Sequence, residues 1–224
     1  MAPLTSTTED YLQAIDALRS EVGDVRAARM AERLGISPAS VSQTLERMIK
    51  QDLVDVADDH QIRLTESGRQ AADSINRRHR LTERFLVDTL GMDWVSAHIE
   101  AHRLEHAISE QVEARLSILL GHPETCPHGA PIPGNFPDGA DRDWRPLNSF
   151  QVGDEGRVAR VSEAIEEDTE LLRYCDEKNL HPGVRFQVTE QGPDGVFVLA
   201  LGEAAVVVSP RLASHISCTA GVGA

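Results

Sequence analysis

Apolar residues recur along this chain with two distinct periods, and the change between them divides it. Near the N-terminus Tyr11, Leu12, Ile15 and Leu18 fall on one helix face, and Ser6-Thr7-Thr8-Glu9 reads as a capping box that opens the helix near Thr7. A second helical stretch is predicted over about Val25 to Leu34, stopped by Gly35 as a left-handed cap. Ser37 then reads as an N-cap with Pro38 in the first turn. The third helix it opens runs to about Gln51, with Val41, Leu45, Met48 and Ile49 facing inward. Helix, glycine turn, helix is the helix-turn-helix pattern. Period-two alternation in Leu53-Val54-Asp55-Val56 and Gln61-Ile62-Arg63-Leu64, around the turn Asp58-Asp59-His60, predicts a hairpin, and a hairpin in this place is a wing.

Helical spacing returns after Thr65, which caps a long helix to about Thr89. Gly91 breaks it and Asp93 caps the next. The stretch His98–Glu113 holds no Gly or Pro, so one unbroken helix is expected there, with Ile99, Leu104, Ile108, Val112 and Leu116 as its apolar positions. From Gly121 to Asn148 the chain is dense in Pro and Gly and reads as a linker. Beyond Phe150 short β-rich runs follow at Gly156–Val161, Val184–Thr189, Val196–Leu201 and Ala204–Val208, with an acidic helix over about Thr169 to Lys178. Such a run of short strands predicts a small β-barrel.

Composition adds three constraints. With 224 residues, 41% of them hydrophobic, the chain can build a real core. No apolar run approaches the roughly 20 residues of a membrane span, and MAPLTSTTED has neither the basic start nor the apolar centre of a secretory signal, so a cytoplasmic protein without a membrane partner is expected. Cys126, Cys175 and Cys218 form no CxxC, which argues against a disulfide framework or a zinc knuckle. The net charge of -14 is awkward for a nucleic-acid binder, because phosphate affinity comes from Lys and Arg. Positive charge must then be local, or bound cations must offset the acidic surplus.

The polar positions carry two candidate chemistries. On a helix His98, His102, Glu105 and His106 share one face, and three imidazoles and a carboxylate buried there without partners would cost several kcal/mol. A divalent cation would satisfy them; a solvated polar face is the plain alternative. Asp10 in the first helix, and His79 with Glu83 one turn apart, add possible ligands, although Asp in a first turn also serves the helix dipole. His122, Cys126 and His128 in the Pro-rich segment are set aside as incidental. The second chemistry is DNA reading. Ser37, Pro38, Ala39, Ser40, Ser42 and Gln43 give the third helix a small, amide-bearing outer surface suited to a major groove, and Arg26, Arg29, Arg33, Arg47, Lys50 and Arg63 could reach phosphates. A rival enzymatic reading comes from His102-Arg103-Leu104-Glu105-His106, which spells the H-x-x-E-H of zinc metallopeptidases. A regulator sensing an organic effector is the third.

TTEDYLQAI, RAARMAERLGISPASVSQTLERM, RRHRLTERFL, EAHRLEHAISEQVE and PHGAPIPG, in this order, resemble the diphtheria toxin repressor family of iron- and manganese-dependent bacterial repressors, its manganese transport regulator branch in particular. The resemblance implies a mainly α chain with α+β elements. Its parts are a winged helix-turn-helix DNA-binding domain (1–73), a helical metal-binding and dimerisation domain (74–122), the linker (123–149) and an SH3-like, FeoA-like domain (150–224). It implies one metal site from Asp10, His102, Glu105 and His106, and another from His79, Glu83 and His98 with Glu163 and Glu166 of the C-terminal domain, where the neighbouring acids Glu167, Asp168 and Glu170 are alternatives. Iron-type members carry Met at the position of Asp10 and Cys at that of His102; the carboxylate here suits Mn2+. Manganese is therefore the expected cofactor and Fe2+ the alternative, with Co2+ or Zn2+ able to substitute in vitro. The implied function is a transcriptional repressor, not an enzyme and with no organic substrate. Loaded with metal, its homodimer binds double-stranded operator DNA with two recognition helices about 34 Å apart.

Overall fold

The computed structural model describes residues 4–137, 139–141 and 143–221. The chain divides into two compact units, Met1–His79 with Glu105–Ile108, and Arg80–Leu104 with Ser109–Ala224.

The first unit is a winged helix-turn-helix. Helix α1 (Ser6–Val22) is capped by Thr5, whose side chain accepts from the Thr8 amide, one residue earlier than the Ser6 capping box predicts. Helix α2 (Ala27–Leu34) ends at Gly35 in the left-handed conformation, and α3 (Pro38–Lys50) starts at Ser37, whose side chain accepts from the Ser40 amide. Strands β1 (Val54–Val56) and β2 (Ile62–Leu64) pair antiparallel as the wing, and the amide of Ile62 also donates to the Val25 carbonyl at 2.8 Å. Leu12, Ile15, Met30, Val41, Met48 and Leu53 are fully buried together. Each such side chain contributes roughly 2 kcal/mol, against roughly 1 kcal/mol for a cap, so packing holds these helices and capping sets their ends. Ile49, expected inside, is 46% exposed. It lies one position beyond Met48, off the buried stripe.

Helix α4 (Glu66–Arg84) is continued by a π-helical turn, Phe85–Thr89, and α5 spans Trp94–Leu104. The expected unbroken helix ends there. Residues 105–107 form a turn, and Ser109 opens α6 (Glu110–Leu119) by accepting from the Val112 amide. The break is made by a cap and by Arg78 Nη1, which donates to the Glu105 carbonyl at 3.1 Å within the first unit. Neither needs a Gly or Pro.

In the second unit, strands β3 (Arg145–Pro146), β4 (Glu155–Val161), β5 (Arg185–Gln191), β6 (Phe197–Leu201), β7 (Ala204–Val208) and β8 (Ile216–Ala220) form one antiparallel SH3-like sheet, ordered β3-β8-β4-β5-β6-β7. Register shifts between Val158 and Arg160 and between Val188 and Glu190 bend it. Short helices α7 (Glu163–Glu166), α8 (Thr169–Glu177) and α9 (Pro210–His215) complete the unit. The acidic helix and four of the strands match the sequence pattern; β3, β8, α7 and α9 were not foreseen.

Part of the Pro- and Gly-rich segment is not solvent-exposed linker. Cys126–Ala130 is buried in a tight turn: the Cys126 amide donates to the Ala130 carbonyl, the Gly129 amide to the Cys126 carbonyl, and the Val161 amide to the His128 carbonyl. Gly129 has φ +90°, and a Cβ there would lie 2.1 Å from the Ala159 carbonyl oxygen. Glycine thus lets this turn press against β4.

Burial pushes the thiols of Cys175 and Cys218 up to about 12, with Asp176 adding to the first. An unfolded thiol ionises near 9.0. Between those values the native state holds protons that the unfolded state has lost, so stability is complete below pH 9 and declines above it. Urea denaturation should show a fall of about 1 kcal/mol per thiol between pH 9 and pH 10. A Cys175→Ala/Cys218→Ala chain with the same alkaline slope would contradict this.

Candidate metal centre

In the first unit Asp10 from α1 and Glu105 and His106 from the turn after α5 bring one ligand atom each within 4.8 Å of one another. His106 Nε2 lies 3.1 Å from Asp10 Oδ1 and 3.5 Å from Glu105 Oε1. Its other nitrogen, Nδ1, lies 2.7 Å from Glu9 Oε2, and Glu9 is held by Arg78 Nη2 at 2.8 Å. A carboxylate behind a histidine fixes which ring nitrogen faces a metal. Glu105 is fully buried; Gln13 Nε2 donates to its Oε2 at 3.3 Å, and His79 Nδ1 lies 2.5 Å from the same oxygen. Sequence reading took Glu9 only as half of a capping box and passed over Gln13. Their signal was present: on α1 they flank Asp10 by one and three positions, on the side that turns to Glu105. His102, exposed on the last turn of α5, precedes Glu105 by three positions in the chain.

In the second unit Glu83, His98 and Glu166 bring ligand atoms within 4.8 Å. His98 Nδ1 is 2.9 Å from Glu83 Oε1 and 3.9 Å from Glu166 Oε2. Glu166 rather than Glu163 joins this group. Glu163 is taken by two arginines, with Arg80 Nη2 donating to Oε1 at 2.6 Å and Arg160 Nη2 lying 3.0 Å from Oε2. The residue that sequence reading rejected is also here: His128 is fully buried, its Nδ1 3.3 Å from Glu83 Oε1 and 3.7 Å from Glu166 Oε1. Burial is the largest influence on His128 and works to lower its pKa, but the carboxylates of Glu83 and Glu166 outweigh it and hold the ring well above its ordinary value. Burial lifts the carboxyl of Glu166. Among the described residues His128 Nε2 and Glu166 Oε1 are buried without a hydrogen-bond partner. A buried carboxylate oxygen left so is costly, and a cation among the carboxylates relieves that cost at Glu166 Oε1.

The proposed DNA-reading residues all lie in the first unit. Arg26, Arg29, Ser37, Pro38, Ala39, Ser40, Ser42, Gln43, Arg47 and Lys50 are all exposed. Some are engaged locally: Arg26 Nε donates to Asp24 Oδ1 at 2.8 Å, Arg29 Nε lies 3.5 Å from Asp24 Oδ2, and the Ser42 hydroxyl donates to the Pro38 carbonyl at 3.1 Å.

The H-x-x-E-H reading does not survive the geometry. That motif needs its residues on one helix, whereas α5 stops at Leu104 and Glu105 is buried against Gln13 and His79.

A winged helix-turn-helix joined to buried clusters of carboxylates and imidazoles defines a metal-responsive DNA-binding regulator. The chain belongs to the diphtheria toxin repressor family of metal-dependent transcriptional repressors. Residues 3–62 match the iron dependent repressor N-terminal DNA binding domain, 65–134 the iron dependent repressor metal binding and dimerisation domain, and 145–220 the FeoA domain. The iron-dependent repressor IdeR of Mycobacterium tuberculosis is 36% identical over 222 residues, covering 95% of this chain and 96% of that protein. The diphtheria toxin repressor of Corynebacterium diphtheriae is 34% identical over 207 residues, with 89% and 91% covered. A solved manganese-dependent transcriptional repressor in complex with manganese is similar at a TM-score of 0.85 and 35% identity, covering 96% of this chain and all 100% of that one. The manganese regulator SloR is similar at a TM-score of 0.78 and 27% identity, with 99% and 100% covered. No helix among the described residues is long and apolar enough to cross a membrane.

Proposed function

We propose that this repressor takes Mn2+ as its physiological ion, with Fe2+ as the alternative, and binds double-stranded operator DNA as a homodimer when loaded. Asp10, Glu105 and His106, with His102 three positions before Glu105, are the ligands of one site; Glu83, His98 and Glu166, with His79 one helical turn before Glu83, are those of the other. The observation that carries this reading is the convergence of Asp10 and Glu105 on His106 Nε2, at 3.1 and 3.5 Å. This first set holds oxygen and nitrogen donors and no sulfur, which favours Mn2+ over softer ions. Support for manganese also comes from the similar structure described as a manganese-dependent repressor, and support for iron from the relatives named iron-dependent.

A bound divalent ion supplies positive charge where carboxylates face one another. Asp10 sits on the first helix of the DNA-binding unit, so its engagement orders α1 against the turn that carries Glu105 and His106. Glu9 and Arg78 hold the His106 ring, and Gln13 holds Glu105, so both ligands are oriented before an ion arrives. Ile99, Leu104, Val112, Ile118 and Leu119 remain exposed on α5 and α6, which fits a second copy of the chain packing there. The exposed Gln43, Ser40 and Ala39 would read base edges while Arg26, Arg29, Arg47 and Lys50 meet phosphates.

The test is affinity for duplexes selected from a random-sequence library in the presence of Mn2+, measured again with Fe2+ and with a chelator. Affinity in Mn2+ should exceed that in chelator by roughly a hundredfold, the upper range of allosteric coupling. Equal affinity with and without metal would remove the proposal, and a response to Fe2+ alone would replace manganese.

A further inference from the structure

Cys126 and His128 lie outside the two ligand sets above, in the interior of the second unit. Both are fully buried, and together with Glu83 they bring one ligand atom each within 4.8 Å of one another. We propose that Glu83, Cys126 and His128 form a further metal-binding centre, one that includes a thiolate and takes a borderline divalent ion of the Zn2+ or Co2+ type.

One ligand pair already has the spacing such an ion requires, and two others lie within a few tenths of an ångström of it. Zinc–nitrogen and zinc–oxygen bonds of about 2.0–2.2 Å and a zinc–sulfur bond of about 2.3 Å place tetrahedral ligands about 3.3–3.6 Å apart. Here His128 Nδ1 lies 3.3 Å from Glu83 Oε1 and 3.8 Å from Cys126 Sγ. Glu166 Oε1 is 3.7 Å from the same nitrogen, is buried, and has no hydrogen-bond partner among the described residues, which makes it the nearest fourth donor. Glu166 also offers its other oxygen to His98 at 3.9 Å, and Glu83 Oε1 faces both His98 and His128. Two carboxylates facing two imidazoles in this way can bridge a pair of ions about 3.5–4 Å apart.

Other roles for the cysteine fit less well. Cys126 forms no disulfide, and without an ion burial keeps its thiol protonated, the opposite of what a redox-reactive cysteine needs. Coordination reverses this: the ion takes the sulfur lone pair and the thiol proton leaves to water. The backbone is built to hold the pair in place. Gly129 permits the tight turn, and the His128 carbonyl accepts from the Val161 amide of β4 at 2.8 Å. Trp94 packs against the His128 ring with centroids 4.6 Å apart, closing the site to water.

The experiment is a Co2+ titration of the full chain after chelator treatment, followed by absorbance. The wild type should develop a near-ultraviolet thiolate-to-cobalt charge-transfer band, and equilibrium dialysis should count one more Co2+ per chain than in the variants. Cys126→Ser, nearly isosteric, should lose the band and that ion. His128→Gln should weaken the band while circular dichroism stays native. Absence of the band in the wild type, or its persistence in Cys126→Ser, would overturn the proposal. Metal-dependent operator binding is measured separately, so failure here leaves the function proposed above standing, and the reverse holds as well.

Discussion

A His106→Ala chain is expected to need at least about a hundredfold more Mn2+ than the wild type to reach half-maximal operator binding. Loss of a residue that only orients a metal ligand already costs about 10–100-fold in affinity, and His106 is placed to be a ligand itself. Its Nε2 faces Asp10 Oδ1 at 3.1 Å and Glu105 Oε1 at 3.5 Å, so truncation removes the nitrogen on which both acids converge. Glu9 also loses its contact at 2.7 Å, although Arg78 still compensates its charge. The side chain of His106 is partly exposed, and the core residues Leu12 and Ile15 of α1 and Met30 of α2 are untouched, so folding should survive. At the Mn2+ level that saturates the wild type, the variant should behave like protein in chelator. An unchanged Mn2+ midpoint would show that His106 is not a ligand.

Gly68→Ala should destabilise the DNA-binding unit by about 3 kcal/mol, the upper end of overpacking costs. Helix propensity alone predicts the opposite sign, since Ala inside a helix is better than Gly by roughly 1 kcal/mol. The structure decides between them. A Cβ at Gly68 would lie 1.9 Å from the carbonyl oxygen of Leu53 and 2.9 Å from its carbonyl carbon. That backbone cannot yield easily: Leu53 is fully buried, its carbonyl accepts from the Thr65 amide at 3.1 Å, and its amide donates to Met48 at 3.0 Å. Urea denaturation of Gly68→Ala beside Gln70→Ala, an exposed site on the same helix, separates the two effects. Equal or higher stability of Gly68→Ala would mean that α4 does not pack this closely on the Leu53 backbone.

The winged helix was legible in the chain because each of its signals is local. Ser37-Pro38 opens α3, Gly35 closes α2, and two runs of alternating residues flank a polar turn. The metal chemistry was half legible. Histidine spacing pointed to His98, His102, Glu105 and His106, but the single helix assumed for them ends at Leu104. The cause is Ser109 acting as a cap and Arg78 taking the Glu105 carbonyl from another helix, and the second of these is invisible to periodicity. Glu9 was misread for a similar reason: a carboxylate in a first turn looks like a capping residue until its partner, 97 positions away, is known.

Residue order by itself determined the helices and wing of the first unit, four strands of the sheet, and which side chains are able to ligate a cation, because capping, periodicity and donor chemistry act within a few residues. Tertiary structure alone decided which of those donors meet. It gave Glu166 to His98 and left Glu163 to Arg80 and Arg160. It also brought Cys126 and His128, in a segment whose Pro and Gly content suggested a linker, against Glu83 more than 40 positions earlier. The physical reason is that a ligand set depends on distances of a few ångströms between elements remote in the chain, and packing of one buried surface on another sets those distances.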